Sequence, residues 1–143
     1  MQQINEQSFT LHPQLAADTV IIGDWPLCRV LLMNDANYPW VILVPRRSDI
    51  REIYQLTESD QQQLLRESSA LGAAMMREFA AEKLNIAALG NVVPQLHIHH
   101  VLRFSYDLAW PKPVWGVQAA KPYGDVALAE RLLKLREALK ALF

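Results

Sequence analysis

The sequence predicts an α+β protein: a mainly antiparallel sheet with one long helix packed on it and a second helix at the C-terminus. Three observations carry that expectation. Short apolar or alternating runs bounded by turn formers recur before residue 46 and again between 84 and 104. A stretch rich in Ala, Leu, Gln, Glu and Met separates them. A leucine-rich amphipathic stretch follows at the end. No repeat, low-complexity segment or linker interrupts the 143 residues. They read as one domain, with a core of about 19–116 and a C-terminal helix of about 124–143.

Phe9 to Leu15 reads as a lead-in, where Pro13 biases His12 toward an extended or turn conformation. Thr19 to Asp24 is a first strand, ended by Gly23-Asp24. Cys28 to Met33 is a second. The run Asn34 to Pro39 is dense in turn formers. Trp40 to Pro45 is nearly all apolar, as in a strand buried on both faces. The second and third strands pair most simply as an antiparallel hairpin. Thr57 is a good N-cap, with Glu58 and Asp60 in the first turn. From there to about Lys83, Leu64, Leu65, Ser68, Leu71, Met75, Phe79 and Ala80 recur at helical steps. Leu84 to Leu89 reads as a fourth strand, Gly90-Asn91 as a turn and Gln95 to Phe104 as a fifth strand. Tyr106 to Gly116 is a loop. Asp125 to Phe143 is the final helix, with Leu128, Leu132, Leu133, Leu135, Leu139 and Leu142 near one side.

Composition narrows the function. Hydrophobic content is 51% and charged content 20%, enough for a packed core. A net charge of −1 gives no basic tract for nucleic acid and none for an anionic membrane. One cysteine cannot form an internal disulfide, which fits a reducing compartment. Met1 to Glu6 lacks the basic start and apolar stretch of a signal peptide, and no apolar run reaches membrane-spanning length. The expectation is a cytoplasmic protein.

The chemistry concentrates in Val93-Pro94-Gln95-Leu96-His97-Ile98-His99-His100-Val101-Leu102-Arg103, which holds three of the four histidines. Successive side chains of a strand leave on opposite faces, so Gln95, His97 and His99 share one face while Leu96 and Ile98 share the other. His100 falls on the apolar side, as a core-edge or interface residue. Imidazole titrates near neutral pH and serves as a nucleophile, acid, base or metal ligand. A metal site would need three or four ligands, and only Cys28 and His12 remain as further soft or imidazole donors. The turn Gly90-Asn91-Val92-Val93 precedes the histidines. Its glycine permits close backbone approach, and successive N–H groups can cradle an oxyanion. Arg46 and Arg47 are candidate phosphate contacts or solvated charges. Trp110 and Trp115 are candidates for a rim over the site or for loop packing. Asp107 reads as a surface or turn residue.

These residues resemble a known signature. Asn85, then Gly90-Asn91-Val92-Val93-Pro94, then Gln95-Leu96-His97-Ile98-His99 is similar to the His-φ-His-φ-His-φ-φ motif (φ apolar) of the histidine triad, or HIT, superfamily. It stands closest to the diadenosine tetraphosphate hydrolase-like branch. Trp40 to Arg47 resembles the hydrophobic strand ending in Val-Pro-Lys/Arg that precedes the motif in that superfamily. The resemblance spans about Leu31 to Trp115. It implies a HIT-like fold and a nucleotidyl hydrolase or transferase that needs no metal or other cofactor. His97 would attack an α-phosphorus and form a nucleotidyl-histidine intermediate. His99 would contact phosphate and position or protonate the leaving group. Asn85 would bond ribose, phosphate or the surroundings of the nucleophile. Backbone N–H groups around Gly90, Asn91 and Val92 would hold phosphate oxygens, and early-strand apolar residues would sandwich the base. The substrate would be a nucleotide conjugate, either a dinucleoside polyphosphate or a nucleoside phosphoramidate, and the assembly a homodimer. Two positions depart from the pattern. Gln95 replaces the first triad histidine, and Ser48 stands where many members carry another histidine. Glutamine can bond phosphate but cannot titrate. A nucleotide-binding module with little catalysis and a metal-binding protein are therefore the competing readings.

Overall fold

A computed structural model describes residues 9–143, so the reading of Met1 to Glu6 lies outside the described residues. Five strands form one antiparallel sheet in the order β1-β2-β3-β5-β4. They are β1 (Thr19–Asp24), β2 (Cys28–Met33), β3 (Trp40–Pro45), β4 (Lys83–Ala87) and β5 (Ile98–Arg103). Three helices accompany them: α1 (Pro13–Asp18), α2 (Glu58–Phe79) and α3 (Asp125–Leu139). The first three strands follow the sequence reading at both ends, because Gly23-Asp24 and the 34–39 run bound them sharply. β2 and β3 form the expected hairpin, with Cys28 opposite Pro45 and Leu32 opposite Val41.

The sheet is covered on both sides, which explains why β3 is buried along its whole length. Val41 and Leu43 join Cys28, Val30, Leu32, Ile98 and Leu102 against Leu64, Leu71 and Met75 of α2 and Leu135 and Leu139 of α3. Ile42 and Val44 join Leu31, Tyr38, Trp40 and Val101 on the other face. That second face is covered by Leu15, Val93, Ala109 and Val114, with Phe9, Leu11 and Trp115 at its margin. The histidines of the motif sit between these two layers.

Several boundaries differ from the sequence reading. The lead-in contains α1, whose N-cap is His12; its Nδ1 accepts from the Gln14 N–H at 3.0 Å, and Pro13 takes the first helical position, where no N–H is missed. Thr57 caps α2 as expected, accepting from the Asp60 N–H at 3.1 Å. The helix stops at Phe79 instead of Lys83 because Ala80 turns left-handed (φ 50°), reversing the chain into β4. β4 accordingly starts at Lys83 and ends at Ala87, where its ladder with β5 reaches His99. The fifth strand starts at Ile98, not Gln95. Pro94 has no N–H to give a ladder, and the Leu96 N–H goes instead to the Ile50 carbonyl at 2.9 Å. The last helix ends at Leu139, short of Phe143. Leu65 and Leu133 are 67% and 70% exposed, so neither belongs to the buried stripe of its helix. On α2 the position beneath the core is taken by Glu67, whose carboxylate accepts the Leu27 and Cys28 N–H groups at 2.9 Å each. No helix among the described residues is long and apolar enough to cross a membrane.

Candidate active site

His97 and His99 come together at the start of β5, their rings 4.9 Å apart and edge to face. Both are buried. His97 is the last residue before the strand, and its ring is aimed by a contact to its own backbone. Its Nδ1 lies 2.7 Å from the Gln95 carbonyl oxygen. A carbonyl oxygen only accepts, so Nδ1 carries a hydrogen, and in the neutral ring Nε2 presents a lone pair.

His99 is oriented in the opposite sense. Trp40 Nε1–H donates to His99 Nδ1 at 3.0 Å, which places the imidazole hydrogen on Nε2. Trp115 stands edge-on to both rings, 5.1 Å from His99 and 5.7 Å from Trp40. Burial pushes the His99 pKa down to about 3, with further lowering from His97 and His100. His99 is therefore a neutral N–H donor at physiological pH.

His100 faces the other layer, as its place in the alternation requires. Its Nδ1–H donates to the Ile98 carbonyl at 3.1 Å, and Nε2 accepts from the Ser68 hydroxyl at 2.7 Å. It is completely buried, and desolvation brings its pKa down to about 4.

The remaining expected residues divide. Gly90 (φ 72°) makes the left-handed turn that its lack of a side chain allows. With Arg51, Glu52, Ala88, Leu89, Gln95, Leu96 and His97 it lines a narrow cleft beside the nucleophile candidate. Asn91 and Val92 lie on the exposed tip of the same turn, with Val92 88% exposed. Gln95 lines the cleft, but its amide is engaged at both ends by the N-terminal segment: Oε1 accepts the His12 N–H at 2.8 Å, and Nε2 donates to the Thr10 carbonyl at 2.9 Å. Asn85 lies farther along, on β4 opposite Val101, and its Oδ1 accepts from Arg103 Nη1 at 2.8 Å. It also borders an open groove of about 460 Å³ shared with Lys83, Ile86, Ala87, Pro111, Pro113 and Trp115. That groove flanks the Trp115 wall of the histidine pair and is roomy enough for a nucleoside-sized group.

Other residues take different roles from those read in the sequence. Asp107 is a turn residue, its N–H donating to the Phe104 carbonyl at 2.9 Å, but not a surface one: its side chain is 4% exposed and accepts both Nε and Nη2 of the buried Arg103, at 2.9 and 3.0 Å. It also accepts the N–H groups of Phe104, Ala109 and Trp110. Trp110 packs its face on the Arg103 guanidinium and not over the histidines. Arg46 bonds the Trp25 and Pro26 carbonyls, and Arg47 pairs with Asp60 at 2.8 Å, so both are tied into the framework. Sequence reasoning missed Trp40 and Arg51. Trp40 had one available signal: on the antiparallel ladder it falls two positions from the residue opposite His99 and on the same face.

Comparison with known proteins agrees with this fold. The HIT domain family matches residues 14–106. A histidine triad protein from Marinobacter aquaeolei VT8 is 56% identical, with 94% of this chain and 98% of that one covered, at a TM-score of 0.92. One from Bradyrhizobium japonicum is 47% identical over 91% and 97% of the two chains, at 0.88. One from Sinorhizobium meliloti 1021 is 41% identical over 94% and 100%, at 0.91. No curated protein matches. The matched span includes all three buried histidines, the Gly90 turn and all five strands, and the chain belongs to the histidine triad (HIT) family.

Proposed function

We propose that this chain is a nucleotidyl hydrolase or transferase that cleaves a nucleotide conjugate at its α-phosphorus. HIT proteins bind nucleotides and are typically enzymes of that class. The observation that carries the reading here is the Nδ1 contact of His97 to the Gln95 carbonyl. In the neutral ring it leaves the Nε2 lone pair in a buried position beside the Gly90 turn, which is what a nucleophile toward phosphorus requires. His99 Nε2–H then supplies a fixed donor to a phosphoryl oxygen, and the 90–92 backbone supplies others. Arg51 adds positive charge at the cleft. The groove along β4, walled by Trp115, offers room for the nucleoside. In this reading Gln95 acts through its backbone carbonyl, and Asn85 through Arg103 and the β4 edge. The diadenosine tetraphosphate hydrolase-like branch is the relationship we favour, on the strength of the motif residues.

Acid-quench mass spectrometry tests the proposal. Wild-type protein mixed briefly with a panel of adenylated conjugates should gain the mass of an adenylyl group, and His97→Ala should not. AMP binding without any adduct or released AMP would instead favour a binding module.

The proposal includes a homodimer and a cytoplasmic setting. β4 is a sheet edge, with ladder partners on one side only, and Ile86 and Leu89 are 52% and 45% exposed along and beyond it. An edge with exposed apolar residues suits pairing with a second copy. Light scattering at micromolar concentration should give twice the 16.3 kDa chain mass; the monomer mass would refute it. The lone Cys28 is buried and its thiol pKa is pushed up by desolvation, as in a cysteine used for packing.

A further inference from the structure

A nucleotide conjugate loses either an oxyanion or an amine from phosphorus, and the two make different demands. A polyphosphate or phenolate oxygen leaves as a stable anion. An amine nitrogen must take a proton before its bond to phosphorus breaks. The groups around His97 decide which demand is met.

An indole N–H only donates, so the Trp40 contact leaves no room for a second hydrogen on His99 Nδ1. Making His99 an acid would set an imidazolium N–H against the indole N–H. The groups packed around His99 do not favour that cation either. Trp40 and its ladder partner Ile42 come from β3, Ala87 from β4, and Trp115 from the loop after β5; His97 precedes it in the chain. None is a carboxylate, and His100 on the opposite face is another imidazole that resists protonation. Gln95 cannot titrate, and its amide is bound to Thr10 and His12. Glu52, the carboxylate that lines the cleft, is exposed on the 3₁₀ turn at Ile53–Gln55, where its N–H donates to Gln55 Oε1 at 3.0 Å, and it is not among the groups packed on His99. Arg51 in that cleft favours a departing anion.

We infer that Trp40 is a positioning residue that fixes His99 as a neutral Nε2–H donor, so that the centre cleaves conjugates whose leaving group departs as an oxyanion and passes over amine-linked ones. This rests on the hydrolase reading above. In the first step the His97 Nε2 lone pair forms a bond to the α-phosphorus. The bond from phosphorus to the leaving oxygen breaks, and its electron pair stays on that oxygen with no proton added. In the second step a water oxygen bonds phosphorus, the P–N electron pair returns to Nε2, and the water's proton passes to solvent.

The test is a leaving-group series. Aryl esters of AMP spanning phenols of different pKa are compared with adenosine 5′-phosphoromorpholidate, an amine-linked probe. Without proton assistance, kcat/KM should fall about threefold or more per unit rise in phenol pKa, and the morpholidate should react at least about 100-fold more slowly than the best ester. A flat series, or a morpholidate as fast as the esters, would overturn the inference and leave the hydrolase reading intact. Trp40→Phe removes the indole N–H while keeping an aromatic ring. Its series should be shallower than wild type at pH 5 to 6, and an unchanged slope would remove Trp40 from the argument. Nitrogen-15 shifts of His99 in the folded wild type give a readout independent of turnover. Nδ1 should be a bare acceptor at pH 6, and a protonated Nδ1 refutes the pinning. Failure of every ester, with AMP still bound, would sink the hydrolase reading and this inference together.

Discussion

Two adjacent imidazoles have been given opposite tautomers by the partners of their Nδ1 atoms. A carbonyl oxygen at His97 forces a hydrogen onto Nδ1, and an indole N–H at His99 keeps it off. In the neutral form the first ring has its lone pair on Nε2, and the second has a donor there. That asymmetry predicts different losses on substitution. His97→Ala should lower turnover by about 10⁴-fold or more, as removal of a nucleophile does, while AMP affinity changes by less than about tenfold. Single-turnover kinetics and calorimetry on one preparation separate the two effects. A residual rate within about tenfold of wild type would refute a nucleophilic His97. The sequence showed which histidines share a face, because period-two alternation does not depend on their partners. It could not show the tautomers. That of His97 depends on how the Gln95 carbonyl is turned, and that of His99 on Trp40, 59 positions away in the chain and brought to it only by the β3–β5 ladder.

At the scale of the elements, the strands and helices were legible where local chemistry alone sets them. Thr57, the 34–39 turn and Gly23-Asp24 act on their own neighbours, and those boundaries came out as read. Boundaries set by long-range contacts did not. The start of β5 depends on Ile50 and on the N-terminal segment held by Gln95. Asp107 is the clearest case, because a lone aspartate after Ser-Tyr carries no sign that it will be buried. It neutralises Arg103 at the end of β5, and Arg103 in turn holds Asn85 on β4, while Tyr38 and Trp110 lie against the guanidinium. Asp107→Ala would strand a buried cation and release three backbone N–H groups. It should cost about 3–5 kcal/mol, since a broken buried pair leaves an uncompensated charge. Asp107→Asn retains acceptor capacity for the backbone and should cost less. Urea unfolding of the two variants tests this, and a loss below about 1 kcal/mol for Asp107→Ala would mean that water reaches Arg103.

For the molecule as a whole, the site and the stability are linked through proton binding. His99 and His100 lie next to each other on β5, one facing each layer, and both are held neutral by burial. Folding lowers their pKa values from 6.5 to about 3 and about 4. Below pH 6.5 the unfolded chain therefore binds protons that the folded chain refuses, and stability falls with pH until the folded values are reached. At pH 5 each histidine should have removed about 2 kcal/mol of the stability present at pH 7 or above. Asp24 and Asp107 do not account for a loss in that window. Asp24, hydrogen-bonded to Arg29, and Asp107, hydrogen-bonded to Arg103 against the opposing effect of burial, are both held below 3.8, so their contributions go only in stronger acid. Urea midpoints between pH 7 and 4.5 read the slope. His100→Gln removes one titrating group, and its slope should be shallower by about 1.4 kcal/mol per pH unit, even though the variant starts less stable. Equal stability at pH 7 and 5 would mean that both rings take up protons in the folded state. For His99 such a proton could reside only on Nδ1, so the contact with Trp40 would have to break, and the stability curve thus bears on the geometry of the active centre.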